Sequence, residues 1–174
     1  MKQKSIAFKI LILLVSVACL AAIDQVTKYI AVKELSDGKI DVIKDFFTLD
    51  LIYNKGVAFG MLKGFGMLLF VIPIIICVVL IILYLRLPDN RRYRFIKIDF
   101  IFLIAGAVGN MIDRVMSGQV TDFLSFKFGD YYFPTFNVAD IYVTVSVFAL
   151  FLLILFYYKE SEVTEIIRFG KGDS

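Results

Sequence analysis

The residues that could do chemistry are few and fall at short, repeated spacings. Asn110 and Asp113 stand three apart, and so do Asn137 and Asp140. At i,i+3 an amide and a carboxylate share one helix face. The amide can orient the carboxylate or hold a peptide group beside it. Asp24 and Lys28, at i,i+4, have the spacing of a helix ion pair. Asp122 has no amide partner nearby in sequence, and Arg114, adjacent to Asp113, must look elsewhere for a partner: Asp24, a lipid phosphate or a substrate carbonyl. Histidine is absent from the whole chain. Ser-His-Asp triads, Cys-His pairs, HExxH zinc sites and imidazole shuttles are therefore excluded.

What remains is carboxylate chemistry. Two carboxylates held close together cannot both ionise, so they share a proton. The ionised member takes a proton from water and the protonated one donates to a carbonyl oxygen. On spacing alone, Asp113 competes equally with Asp122 as the partner of Asp140. Asp-only sites for Mg²⁺ or Ca²⁺ usually carry denser acidic clusters, so no metal or other cofactor is expected. Asn137, following Pro134 and Thr135, also reads as a helix N-cap, and the two roles are compatible. Asp140 then lies in the first helical turn, where the dipole favours its ionised form. Cys19 and Cys77 sit in apolar runs without CxxC spacing and read as small buried hydrophobes.

The elements that position these groups follow from composition. Of 174 residues, 60% are hydrophobic, and the mean hydropathy is +0.83. Four runs approach the ~20 apolar residues a membrane helix needs: about 6–23, 67–85, 95–112 and 141–158. Met1 to Lys4 followed by an apolar stretch also resembles a cleavable signal peptide, with Ser16-Val17-Ala18-Cys19 near a lipoprotein cleavage site. The helical pattern continues through Asp24 to Ile30, which favours an uncleaved first span. Arg86, Arg91, Arg92, Arg94 and Lys97 crowd the second connection, whereas the third has only Arg114 and Lys127. The positive-inside rule then puts both termini and the second connection in the cytoplasm. Loops 24–66 and 113–137 face outward, although the first also holds six Lys. The net charge of +3 is no basis for nucleic-acid binding. Residues 45–53 are β-prone, and the Gly- and Phe-rich stretch after them suggests an interfacial segment. The tail after Lys159 reads as a frayed helix end.

In this topology, Asp24, Lys28, Asn110, Asp113, Arg114, Asp122, Asn137 and Asp140 meet in one layer near the outer surface. Ionisable groups at membrane depth mark functional sites. A transporter would place them near the bilayer midplane, and a noncatalytic scaffold would have no use for clustered aspartates.

The order of motifs resembles the bacterial lipoprotein signal peptidase (signal peptidase II) family. The resemblance rests on Asp24-Gln25-Val26-Thr27-Lys28, on Tyr53-Asn54-Lys55-Gly56-Val57-Ala58-Phe59-Gly60, and on Gly106-Ala107-Val108-Gly109-Asn110-Met111-Ile112-Asp113-Arg114. Val120-Thr121-Asp122-Phe123 and Phe133-Pro134-Thr135-Phe136-Asn137-Val138-Ala139-Asp140 complete it. The resemblance implies one all-α membrane peptidase domain over residues 1–174, with four transmembrane helices, a small extracytoplasmic β-rich cradle and an interfacial segment. It implies an aspartic endopeptidase of the cytoplasmic (inner) membrane that removes signal peptides just before the lipidated cysteine. The implied partners are diacylglyceryl-prolipoprotein substrates, membrane lipids and globomycin-type inhibitors, with the chain acting as a monomer. Asp122 and Asp140 match the catalytic aspartates. Asp24, Lys28, Asn54, Gly56, Asn110, Asp113, Arg114, Asn137 and Ala139 match positions for substrate placement or dyad support.

Overall fold

The computed structural model describes residues 5–56 and 68–167. The expected interfacial segment falls largely outside them. Among the described residues, four helices are long and apolar enough to cross a membrane. They are α1 (Ile6–Glu34), α2 (Leu68–Arg86), α3 (Arg94–Ser117) and α4 (Val138–Leu152), the last prolonged by a π-helical turn over Leu153–Tyr157.

A small antiparallel sheet sits at one end. Its strands, β1 (Ile40–Ile43), β2 (Phe47–Asn54), β3 (Val120–Phe128) and β4 (Tyr131–Tyr132), lie in sequence order. Helix α5 (Glu160–Ile167) closes the described chain.

Helix α3 is the hub. Some 44% of its apolar window is buried, against 17%, 6% and 11% for α1, α2 and α4. The outer faces of the other three present Ile, Leu, Val and Phe outward, as lipid-facing surfaces must. Two glycines let the neighbours reach α3. A Cβ on Gly106 would stand 2.6 Å from the Ala139 carbonyl oxygen, and one on Gly109 would stand 2.6 Å from Asp24 Oδ2. Small residues serve this close approach in membrane bundles.

Helix α1 runs eleven residues past the expected end of span one, to Glu34. The extension has its own inward face, with Asp24, Lys28, Ala31 and Leu35 all buried. Ala31 and Leu35 pack on Phe123 of β3, so α1 carries the sheet. Cys19 is exposed on α1 rather than buried, Cys77 is half-buried, and both are free thiols.

The β-prone stretch of the first loop forms β2 as expected, but its main partner comes from the third loop. Strand β2 pairs with β3 through Ile52 opposite Asp122 and Tyr53 opposite Thr121. Phe136 bridges to Leu124 on the other side and accepts from the Phe123 and Leu124 amides. Phe46, Phe47, Phe126, Phe128, Phe133 and Phe136 pack face-to-face and edge-to-face across this sheet.

Over Glu160–Ile167 the chain is a docked helix rather than a frayed end. Arg92 bonds both oxygens of Glu162, at 2.9 and 2.8 Å, and also donates to the Tyr157 carbonyl. The Tyr158 hydroxyl returns a bond to Arg92 O at 3.0 Å.

Candidate active site

The polar cluster is built from the ends of α1, α3 and α4 and from the facing strands β2 and β3. Asn137 is the N-cap of α4 and forms a full capping box with Asp140. Its Oδ1 accepts from the Asp140 amide at 3.0 Å, and Asp140 Oδ2 accepts from the Asn137 amide at 3.3 Å. That leaves Asn137 Nδ2 to donate twice, to Asp122 Oδ1 at 2.7 Å and Asn110 Oδ1 at 3.0 Å. Asn137 is fully buried. Cap and site scaffold are the same side chain.

Every oxygen of Asp122 and Asp140 is therefore held. Asp122 Oδ2 accepts from Asn54 Nδ2 at 3.0 Å, and Asp140 Oδ1 accepts from Asn110 Nδ2 at 2.7 Å. Gly56, at φ +69, donates its backbone N–H to Asn54 Oδ1 at 2.8 Å and so turns the amide nitrogen toward Asp122. Only glycine adopts that backbone region freely.

Asp122 is 2% exposed, whereas Asp140 is half-buried. Burial pushes the Asp122 carboxyl above the ordinary Asp range, and the Asp140 charge pushes the same way. The Asn54 and Asn137 amides and the Lys28 ammonium oppose it. The two carboxylates thus differ in environment as an acid–base pair requires.

Asp24, Lys28 and Asp113 form a second layer between α1 and α3. The Lys28 ammonium lies 2.9 Å from Asp24 Oδ2 and 2.9 Å from Asp113 Oδ2, with all three side chains almost wholly buried. It also donates to Asn110 Oδ1 at 3.1 Å. Asp24 Oδ1 accepts from the Ala139 amide at 2.8 Å, and Asp113 Oδ2 accepts from the Thr121 amide at 3.0 Å. These two carboxylates thus fix the start of α4 and the start of β3. Asp113, the rival of Asp122 on spacing alone, spends its oxygens on Lys28, Thr121 and Gln25.

Sequence spacing misled at Asn110, and one of the three partners open to Arg114 drops out. Asn110 does not serve its i,i+3 neighbour Asp113 but crosses to Asp140 on the next helix. Arg114 does not reach Asp24; its Nη1 lies 3.5 Å from the Asn110 carbonyl in the last turn of α3. One contributor was missed. Gln25 Nε2 donates to Asp113 Oδ1 at 2.8 Å and to Asp24 Oδ2 and Gly109 O at 3.2 Å. Its place between Asp24 and Lys28 was the available signal. Among the described residues, no three His, Cys, Asp or Glu side chains converge as metal ligands.

A polytopic membrane protein with two amide-tethered aspartates at one end of its bundle is the class that this fold and site define. Comparison with known proteins makes it specific. The profile of signal peptidase (SPase) II matches residues 16–156, and the chain belongs to that family of peptidases. The lipoprotein signal peptidase of Symbiobacterium thermophilum is 46% identical over 131 residues, covering 75% of this chain and 85% of its own. That of Caldanaerobacter subterraneus is 41% identical, covering 82% and 95%. A bacterial membrane enzyme solved by the in meso method at 1.9 Å superposes with a TM-score of 0.75 at 33% identity, covering 90% of this chain and 98% of its own. Another, solved at 2.3 Å, gives 0.71 at 31% identity, covering 99% and 98%.

Proposed function

We propose that Asp122 and Asp140 are the catalytic dyad with which this signal peptidase II cuts diacylglyceryl-modified prolipoproteins just before the lipidated cysteine. The observation that carries the assignment is Asn137, whose backbone and side chain hold both carboxylates at once.

The two environments assign the roles. Asp140, half-exposed in the first turn of α4 and held by two donors that leave it facing outward, is the base. Asp122, buried and pushed up, keeps the shared proton. Asp140 takes a proton from water as the water oxygen bonds to the scissile carbonyl carbon. Asp122 gives its proton to the carbonyl oxygen. On collapse the C–N bond breaks, Asp140 passes its proton to the departing nitrogen, and Asp122 recovers the other. Asn54 and Asn110 act by orienting the dyad. Arg114, half-exposed beside the cluster, is left to meet the substrate backbone.

The lysine and arginine distribution supports an inner-membrane orientation with both termini cytoplasmic and the dyad at the extracytoplasmic face. The dyad and the amides that tether it lie within one bundle of helices, which supports a single domain; that domain works as a monomer. The substrate's acyl chains stay in the bilayer while its signal helix lies along the spans. Globomycin-type inhibitors then occupy the same site.

The test is cleavage of a diacylglyceryl-modified prolipoprotein peptide by the purified protein. The expected result is cleavage just before cysteine, blocked by globomycin and unaffected by a chelator. Activity lost to the chelator and restored by a divalent metal would overturn the dyad mechanism.

A further inference from the structure

At the end of the bundle opposite the dyad, α1 and α3 enclose a cleft of about 480 Å³. Ile12, Ile98 and Ile101 form apolar wall, while Lys9, Arg91 and Arg94 bring positive charge to the same cleft. Lys9 is only 4% exposed although it lies in the first turn of α1. Its ammonium is fixed by the Leu85 carbonyl at 3.1 Å, the Leu87 carbonyl at 3.0 Å and Asp89 Oδ2 at 3.6 Å. Lys97, also lining the cleft, pairs with the same Asp89. The cleft therefore sets four cations against one carboxylate. Arg91 and Arg94 are exposed and make no ion pair among the described residues. Their neighbour Arg92 is different, being committed to Glu162 and the docking of α5.

Plain topology signalling asks only for charge in the loop. It does not ask for a buried lysine at the mouth of an apolar cleft. Basic pockets between membrane helices suit phospholipid headgroups, and the apolar walls suit an acyl chain. The cleft lies where α3 begins, at the membrane–water boundary. From these observations we infer that it is a binding site for one anionic phospholipid of the leaflet nearest the α2–α3 connection. The phosphate sits on Arg91 and Arg94, and an acyl chain runs along Ile12, Ile98 and Ile101. The bound lipid ties the start of α1 to the start of α3. It thereby fixes the depth of a helix whose far end carries Asn110 and Asp113.

Native mass spectrometry of the full chain in neutral detergent, titrated with phosphatidylglycerol and separately with phosphatidylcholine of matched chains, tests this. One phosphatidylglycerol is expected to stay bound, at least tenfold more tightly than phosphatidylcholine. Arg91→Gln with Arg94→Gln should weaken it by on the order of tenfold or more. Ile98→Trp, which narrows the cleft without changing charge, should weaken it as well, and Arg86→Gln should have little effect. Millimolar inorganic phosphate should not displace the lipid. Thermal unfolding verifies that each variant is folded, and if the double variant is not, Ile98→Trp and the single Arg91→Gln decide. Equal retention of phosphatidylcholine, or wild-type affinity in Ile98→Trp, would reduce the cleft to surface charge and overturn the site. Displacement by free phosphate would show a small-anion site instead.

Discussion

Asn110 donates to Asp140 across the gap between two helices, at 2.7 Å, while its own oxygen accepts from Lys28 at 3.1 Å. Lys28 and Asn137 Nδ2 both donate to that oxygen and dictate which way the amide points, so the orientation of Asp140 is inherited in part from α1. Removing a hydrogen bond to a charged group costs roughly 1.5–3 kcal/mol. If that loss falls on the transition state, Asn110→Ala lowers kcat about 10- to 100-fold, each ~1.4 kcal/mol being a factor of ten. Steady-state kinetics on a lipidated peptide should show the loss in kcat, with KM little changed.

Asp122→Asn and Asp140→Asn should each remove acid–base catalysis, worth roughly 10²–10⁴-fold, and leave the protein in the membrane fraction. Pulse-chase processing of a prolipoprotein reads the first effect and fractionation the second. Normal cleavage by Asp122→Asn would make the dyad assignment wrong and return Asp113 to contention.

The pH profile should separate the two aspartates. Asp122 is pushed up by burial and by Asp140, and in the proposed mechanism its deprotonation ends activity as pH rises. Asn54 donates to its carboxylate and so favours the charged form. Asn54→Ala removes that donor, raises the Asp122 pKa further and moves the alkaline limb of kcat/KM to higher pH. The acid limb should stay in place. A shift of the acid limb instead would reverse the acid and base roles.

Lys28→Met leaves Asp24 and Asp113 buried without their cation. Breaking a buried ion pair by removing one partner costs roughly 3–5 kcal/mol. Unfolding in detergent should occur at a markedly lower temperature. Because Asp24 and Asp113 hold the amides of Ala139 and Thr121, activity should fall as well.

Gly106→Ala places a methyl 2.6 Å from a backbone oxygen of α4, which cannot move aside as a side-chain end would. Overpacking of this kind costs roughly 1–3 kcal/mol. The same displacement draws Asn110 away from Asp140, so stability and kcat should fall together. A variant stable as wild type with unchanged kcat would show that this contact yields freely.

Much of this was legible in the sequence, for local reasons. Apolar runs of span length, the Asn137 cap and the grouping of polar residues at helix ends need only neighbours in sequence to be read. The resemblance to signal peptidase II singled out Asp122, which spacing could not. What stayed hidden depends on contacts between distant segments. Asn54 reaches Asp122 only because β2 pairs with β3. Asn110 prefers Asp140 to Asp113 only because Gly106 lets α4 lie against α3. Gln25 lies between two charged positions and gains its role once α1 meets Gly109 and Asp113. The docking of α5 depends on one loop arginine, Arg92, indistinguishable in sequence from Arg91 and Arg94.

The pairing of β2 with β3 has a consequence for biogenesis. Asn54 and Asp122 belong to loops separated by two helices, and Asp140 follows both in the chain. A nascent chain that has made only α1, β2 and α2 holds one of the orienting amides and neither aspartate of the pair. Non-local pairing of this kind forms late, after the intervening chain has been ordered. Hydrolytic competence therefore waits on the synthesis of α4, and a half-inserted protease is inert toward the membrane in which it is being built.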